Sequence, residues 1–192
     1  MADIATLVRS ARRSRRYSQR DLARRAGLSQ SRVAIAENAH EDPRFDTATR
    51  LLAGAGYRLY AAPTTRDDVA TIAADIRHAL NRDEPGLAFR YLVQMNDHLV
   101  AEHGLLRGVL AITEPEPTGL KTWDAAIAAL VDYRLNQEGV PSPQWTSGPG
   151  RRLERARPLL IDPADPVPPL DEVPGEFLAH GVLVWRDSLE SV

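Results

Sequence analysis

Two hydrogen-bonding side chains, Gln30 and Ser31, open a short apolar-periodic run directly behind a Gly27, Leu28, Ser29 turn. At the start of a helix such side chains have a definite chemistry. A glutamine amide can make two hydrogen bonds to adenine, and a serine hydroxyl can donate or accept at a base edge. Arg32 and Ile35 lie farther along the same run, suited to a phosphate and a thymine methyl. Other chemistries find less material. The histidines are His40, His78, His98, His103 and His180, and only His98 with Glu102 has the i, i+4 spacing that sets two metal ligands on one helix face. A third ligand is not apparent, so no metal is expected, and a solvated helix accounts for His98 and His103. Cysteine is absent, which removes disulfides, thiolate zinc sites and a cysteine nucleophile. "GAG" at 54–56 lacks the rest of a dinucleotide fingerprint, and no P-loop motif occurs. "GPGRRLER" presents amides and arginines that could meet an anion, although an ordinary turn beside a charged segment is the commoner case. No cofactor and no enzymatic activity are expected.

The elements that must position Gln30 and Ser31 follow from periodicity and caps. Ile4, Leu7, Val8 and Ala11 mark the buried face of a first helix. Ser18 with Asp21 three residues on forms an acidic capping box for "QRDLARRA", which Gly27 stops. Ser29 caps the third helix, "QSRVAIAEN", in which Val33 and Ala36 point inward. After the polar loop "HEDPRFD", the stretch "TATRLLAGAG" reads as a fourth helix that ends in glycines. Two short helices joined by a tight glycine turn, the second opening on small polar and amide side chains, are what helix-turn-helix reading of a major groove requires.

Charge divides the chain at the same place. Residues 1–60 hold twelve arginines against six acidic residues, net +6, whereas residues 61–192 hold twelve basic residues against twenty acidic ones, net −8. A basic head on an acidic body points to a polyanion partner for the head. The expected domains are 1–62 and 63–192. In the second, Val69, Ile72, Ala73, Ile76 and Leu80 form one apolar stripe and Ala88, Tyr91, Leu92, Met95 and Leu99 the next. "GLLRGVLAI" adds a short helix, and Trp123, Ala126, Ile127, Leu130, Val131 and Leu135 mark another long one. Nine of the 14 prolines fall between Pro141 and Pro174, so that segment is expected to run extended, and "FLAHGVLVW" reads as a short strand or a packed arm. The expected fold class is mainly α. With no run of about 18 apolar residues and no signal-peptide pattern, neither a membrane span nor a secretory leader is expected, and the expected location is the cytoplasm, at the nucleoid.

From Ile4 to Leu59 the sequence resembles the lambda-repressor-like helix-turn-helix family, the Xre and Cro proteins. The resemblance rests on "YSQRDLA", "AGLSQS", the "EN" after the third helix and the proline loop before the fourth. It implies double-stranded DNA as partner, with a palindromic operator read by a homodimer, Gln30 and Ser31 at the bases, Gln19 on a phosphate, and Asn38 and Arg44 on the backbone. Ser29, Arg13 and Arg16 are counted with the phosphate contacts, and Arg15 shares the basic end of the first helix. It also implies that Arg12 and Glu37 pair to bridge the first and third helices. Arg16 stands where the family often has glycine, so a left-handed backbone there would be strained. The layout "TWDAAIAALVDYRLNQEGVPSPQWTSGPGRRLERARPLL" followed by "PGEFLAHGVLVWRDSLESV" is similar to the C-terminal region of helix-turn-helix antitoxins found beside nucleotidyltransferase-like toxins, with Leu159 where an aromatic is expected. That implies a protein toxin held by residues 63–192. A stand-alone regulator, whose second part dimerises or senses a ligand, is the alternative.

Overall fold

The computed structural model describes residues 4–38, 43–162 and 164–190, and the chain divides into two compact units, Met1–Pro63 and Thr64–Val192. His40 lies outside the described residues. Unit 1 contains α1 (Ile4–Ser14), α2 (Gln19–Ala26), α3 (Gln30–Glu37) and α4 (Phe45–Gly54). Each buries one narrow apolar face, and Val8, Ala11, Leu22, Ala23, Ala26, Val33, Ala36, Leu51 and Leu52 meet in a single core. So many alanines let these short helices approach closely. α4 begins two residues before the "TATRLLAGAG" expected from sequence. Arg44 in the N-cap position makes no side-chain cap, so the start carries no local signature.

Unit 2 is mainly helical: α5 (Val69–Asn81), α6 (Pro85–Ala101), α7 (Gly104–Ala111), α8 (Lys121–Asn136) and α9 (Gly175–His180), with a two-residue parallel pair β1 (Arg157–Pro158) and β2 (Val182–Leu183). No helix among the described residues is long and apolar enough to cross a membrane. α8 is the centre. Trp123, every residue from Ala125 to Val131, and Leu135 are buried, so this helix is covered on all sides rather than along one stripe. α6, α7, α9, β2 and the 3-10 turn Gln144–Ser147 pack around it.

The proline-rich stretch is non-helical for most of its length, as its composition requires, but it does not stand away from the unit as an arm. Trp145, Leu159 and Val173 are buried in the same core as α8. Trp145 donates its indole N–H to the Ala111 carbonyl at 2.9 Å, and Trp185 donates to the Pro166 carbonyl at 3.2 Å. The stretch read as a strand or arm opens instead with the helix α9, whose Phe177 and His180 face inward, and only then becomes β2. Gly181 joins the two with φ +73°, and a Cβ there would lie 2.9 Å from the Leu153 carbonyl oxygen, which only glycine avoids.

Three buried arginines satisfy carbonyls that helix ends and connecting loops leave without secondary-structure partners. Arg107 donates to the Glu102 and Arg134 carbonyls, each at 2.8 Å. Arg134 donates to the Leu189 carbonyl and to Asn96 Oδ1. Arg151 donates to the Pro115 carbonyl at 2.6 Å and lies over the Trp145 ring.

His180, within the stretch expected to be a short strand or a packed arm, is buried between Asp132 Oδ2 at 2.8 Å and the Arg151 carbonyl at 2.6 Å. Both neighbours are acceptors, so an imidazolium with two N–H groups satisfies both. Burial opposes the charge, but the Asp132 and Arg151 hydrogen bonds outweigh it and raise His180 above the ordinary histidine value. Burial likewise opposes the carboxylate, but hydrogen bonds from His180, Ser142 and Thr146, with the His180 charge, together outweigh it and lower Asp132. His180→Ala is expected to destabilise unit 2 by about 3 kcal/mol in denaturant unfolding, because the half-buried Asp132 loses its charged partner and keeps only neutral donors. The advantage of the wild type should be full below pH of about 6 and should shrink as pH rises through the elevated histidine value. An advantage that grows with pH over that range would contradict the charged pair.

Candidate nucleic-acid interface

Local sequence builds the α2–turn–α3 unit. The Ser18 hydroxyl accepts from the Asp21 amide while Asp21 accepts from the Ser18 amide, which completes the capping box at the start of α2. Hydrogen bonds from the Ser18 side chain and backbone hold the Asp21 carboxyl below its ordinary range. α2 ends at Gly27 with φ +63°, where the Leu28 amide returns to the Ala23 carbonyl and closes a left-handed cap. Two residues later the Ser29 hydroxyl accepts from the Arg32 amide at 3.3 Å and starts α3. Arg50, from α4, donates to the Ala26 and Gly27 carbonyls at 3.0 and 2.9 Å and clamps this turn from outside.

The consequence is a helix with two unlike faces. Val33, Ala36 and Glu37 are buried, whereas Gln30, Ser31, Arg32 and Ile35 are exposed, Ile35 to 48% despite its apolar side chain. The four residues assigned to base reading therefore stand on the solvent side of α3. Ser31 shares a hydrogen bond with Ser29 at 2.9 Å, which fixes both hydroxyls at the helix start. Asn38 is exposed at the C-terminal end of α3, and Arg44 is exposed at the start of α4. Arg13 and Arg16 are exposed at the end of α1.

Glu37 fixes the angle at which α3 is presented. Its side chain is 3% exposed, and it accepts two hydrogen bonds from Arg12 at 2.6 and 2.9 Å in a forked pair. Gln19 donates to the same carboxylate at 2.9 Å, and Arg9 donates to the Glu37 carbonyl. Burial works against ionisation of Glu37, but the Arg12 and Gln19 hydrogen bonds outweigh it and lower its pKa. Gln19, assigned from the resemblance to a phosphate, thus has its amide nitrogen committed to Glu37 in this structure.

Sequence reasoning missed much of the arginine work. Arg15 lies over the Tyr57 ring and donates to the Ala55 carbonyl, and Arg25 stacks on Tyr17 with its guanidinium carbon 4.4 Å from the ring centroid. With Arg9, Arg12 and Arg50, these brace unit 1, so its +6 charge is not all directed to a ligand. Their partners lie on other helices or in the segments that join and follow them, and no local spacing marks them. Arg16 has φ +55°, which is the left-handed backbone expected where the family has glycine. His98 and Glu102 do not share a helix face, because α6 ends at Ala101. His98 Nδ1 accepts from the Asp67 amide, and Glu102 accepts from the Thr64 hydroxyl. No group of three or more potential metal ligands occurs among the described residues.

Residues 8–59 match the family model described as helix-turn-helix. No curated protein and no solved structure matches the chain. Unit 1 is thus a helix-turn-helix domain, the DNA-binding module of a transcription regulator.

Glu37→Ala is expected to destabilise unit 1 by about 3 kcal/mol in chemical denaturation, since Arg12 loses its partner inside the domain. The stability that Glu37 contributes should hold above the ordinary glutamate range and fade as pH falls through its lowered value. Arg16→Gly should act in the opposite sense and raise stability by about 1 kcal/mol, by relieving a left-handed non-glycine residue. A drop in melting temperature for Arg16→Gly would show that its side chain contributes more than its backbone costs.

Proposed function

We propose that the protein is a sequence-specific regulator that reads an operator with the exposed face of α3. The observation that carries this reading is the division of that helix. Gln30, Ser31, Arg32 and Ile35 face solvent while Glu37, on the opposite side, is locked to Arg12 and Gln19. An amide, a hydroxyl, a guanidinium and an apolar side chain together cover the donors, acceptors and methyl groups of a major groove. Ser29, Asn38, Arg44, Arg13 and Arg16 are the phosphate contacts in this reading, and they set the register in which α3 enters the groove. Two copies bind an inverted repeat with half-sites about one turn of DNA apart, and occupancy of that operator represses transcription. Phe45, Leu59 and Tyr60 are exposed apolar side chains of unit 1 that self-association could cover.

The antitoxin reading adds a second partner, a toxin of the nucleotide- or nucleic-acid-handling kind bound by residues 63–192. It is favoured by the net charge of −8 in that part of the chain together with the exposed Leu105, Ile112, Leu120, Val167 and Leu170. A basic protein surface would meet both the charge and the apolar side chains. The folded proline-rich segment changes how this would work. Trp145, Leu159 and Val173 are already buried at home, so the partner would dock on the folded unit rather than be wrapped by a free arm.

Gln30→Ala should cost about 1 to 3 kcal/mol on the operator and little on random duplex DNA, whereas Arg44→Ala should weaken both alike. Fluorescence anisotropy with the two DNAs separates them, and equal losses on both DNAs for Gln30→Ala would refute base reading.

A further inference from the structure

Unit 2 contains a cavity of about 620 Å³ bordered by Lys121, Thr122, Gly150, Arg152, Arg155 and Arg157. Glu154 is the one acidic residue among those that line it. Four cations thus converge on one concavity in the acidic part of the chain. None of the four has a hydrogen-bonding or ion-pairing side chain opposite it among the described residues, unlike Arg107, Arg134 and Arg151, which are committed to buried carbonyls. Like charges held together without partners repel one another, and an anion entering the cavity relieves that repulsion.

The geometry adds to the charge. Lys121 and Thr122 are the first residues of the 16-residue helix α8, whose N-terminus has no side-chain cap. Gly150 has φ +81° and open space where a Cβ would project, so the chain turns there without closing the cavity. The volume lies in the range that takes a small ligand. Duplex DNA would instead need a basic surface that follows a rod.

We propose that this cavity binds a small phosphate-bearing anion of diphosphate or nucleotide size. Arg152, Arg155 and Arg157 supply forked donors to phosphoryl oxygens, Lys121 supplies a point charge at the start of α8, and the Thr122 hydroxyl adds a neutral donor. Glu154 opposes the anion and limits its affinity. The site is independent of operator reading by unit 1.

Isothermal titration calorimetry of the full chain at about 150 mM salt tests this, with inorganic pyrophosphate, ATP and mixed-sequence duplex DNA as separate titrants. The expected result is saturable 1:1 binding of pyrophosphate or ATP, and the tighter of the two identifies the source as free diphosphate or nucleotide. Binding should weaken about tenfold or more in Arg155→Gln/Arg157→Gln, strengthen in Glu154→Gln and stay unchanged in Arg90→Gln, an exposed arginine on α6. Should the double variant fail to fold, Lys121→Gln carries the same expectation at about threefold. Absence of saturable binding by both small anions, binding undiminished in the cation variants, or heat with duplex DNA alone would overturn the proposal.

Discussion

The carboxylate of Glu37 joins three helices at one buried point. Arg12 reaches it from α1, Gln19 from the start of α2, and Glu37 itself closes α3. A charge held at that depth is tolerated only while its partners are in place, so the three helices cannot rotate independently without exposing or orphaning it. Apolar packing alone would be less particular, because the core of unit 1 is built from small side chains that tolerate sliding. The pair therefore fixes the angle of α3 more than it adds stability, and that angle decides which of its residues face outward. Arg50 does the same for the turn, holding the carbonyls of Ala26 and Gly27 where α2 gives way to α3.

Unit 2 solves a different problem with the same residue type. Its last 50 residues contain little regular structure, and buried carbonyls at helix ends and in loops need donors. Arg107 serves the ends of α6 and α8, Arg151 reaches the Pro115 carbonyl, Arg134 reaches Leu189 in the last segment, and His180 with Asp132 ties α9 back to α8. α8 is buried on nearly every side, and its own Asp124, Asp132 and Arg134 carry polar connections outward to Thr118, His180 and Leu189. The arginines that line the cavity at the start of α8 stand apart from this set, since among the described residues no carbonyl or carboxylate side chain is bonded to their guanidinium groups.

Where local chemistry determines structure, the sequence was legible. Ser18 with Asp21, Gly27 and Ser29 mark the ends of α2 and α3 because each cap is satisfied within three or four residues. The Arg12–Glu37 pair was legible only through the family resemblance, since 25 residues separate the partners. Arg50 and Arg15 were not legible at all, because a guanidinium on a neighbouring helix leaves no periodic trace. α9 was missed for a related reason: six residues are too few to show a helical period, and burial of Phe177 and His180 sustains it instead. Proline content correctly excluded helix from much of 141–174 but could not reveal that Trp145 and Leu159 fold back into the core.

Whether α3 is held so that its outer face reads sequence is decided by selection from a randomised duplex pool with the full chain, followed by sequencing. The expected result is enrichment of one motif that recurs as inverted halves with centres about 10 base pairs, or a multiple of that, apart. Bound DNA that remains random at every position, with affinity set by salt alone, would contradict it.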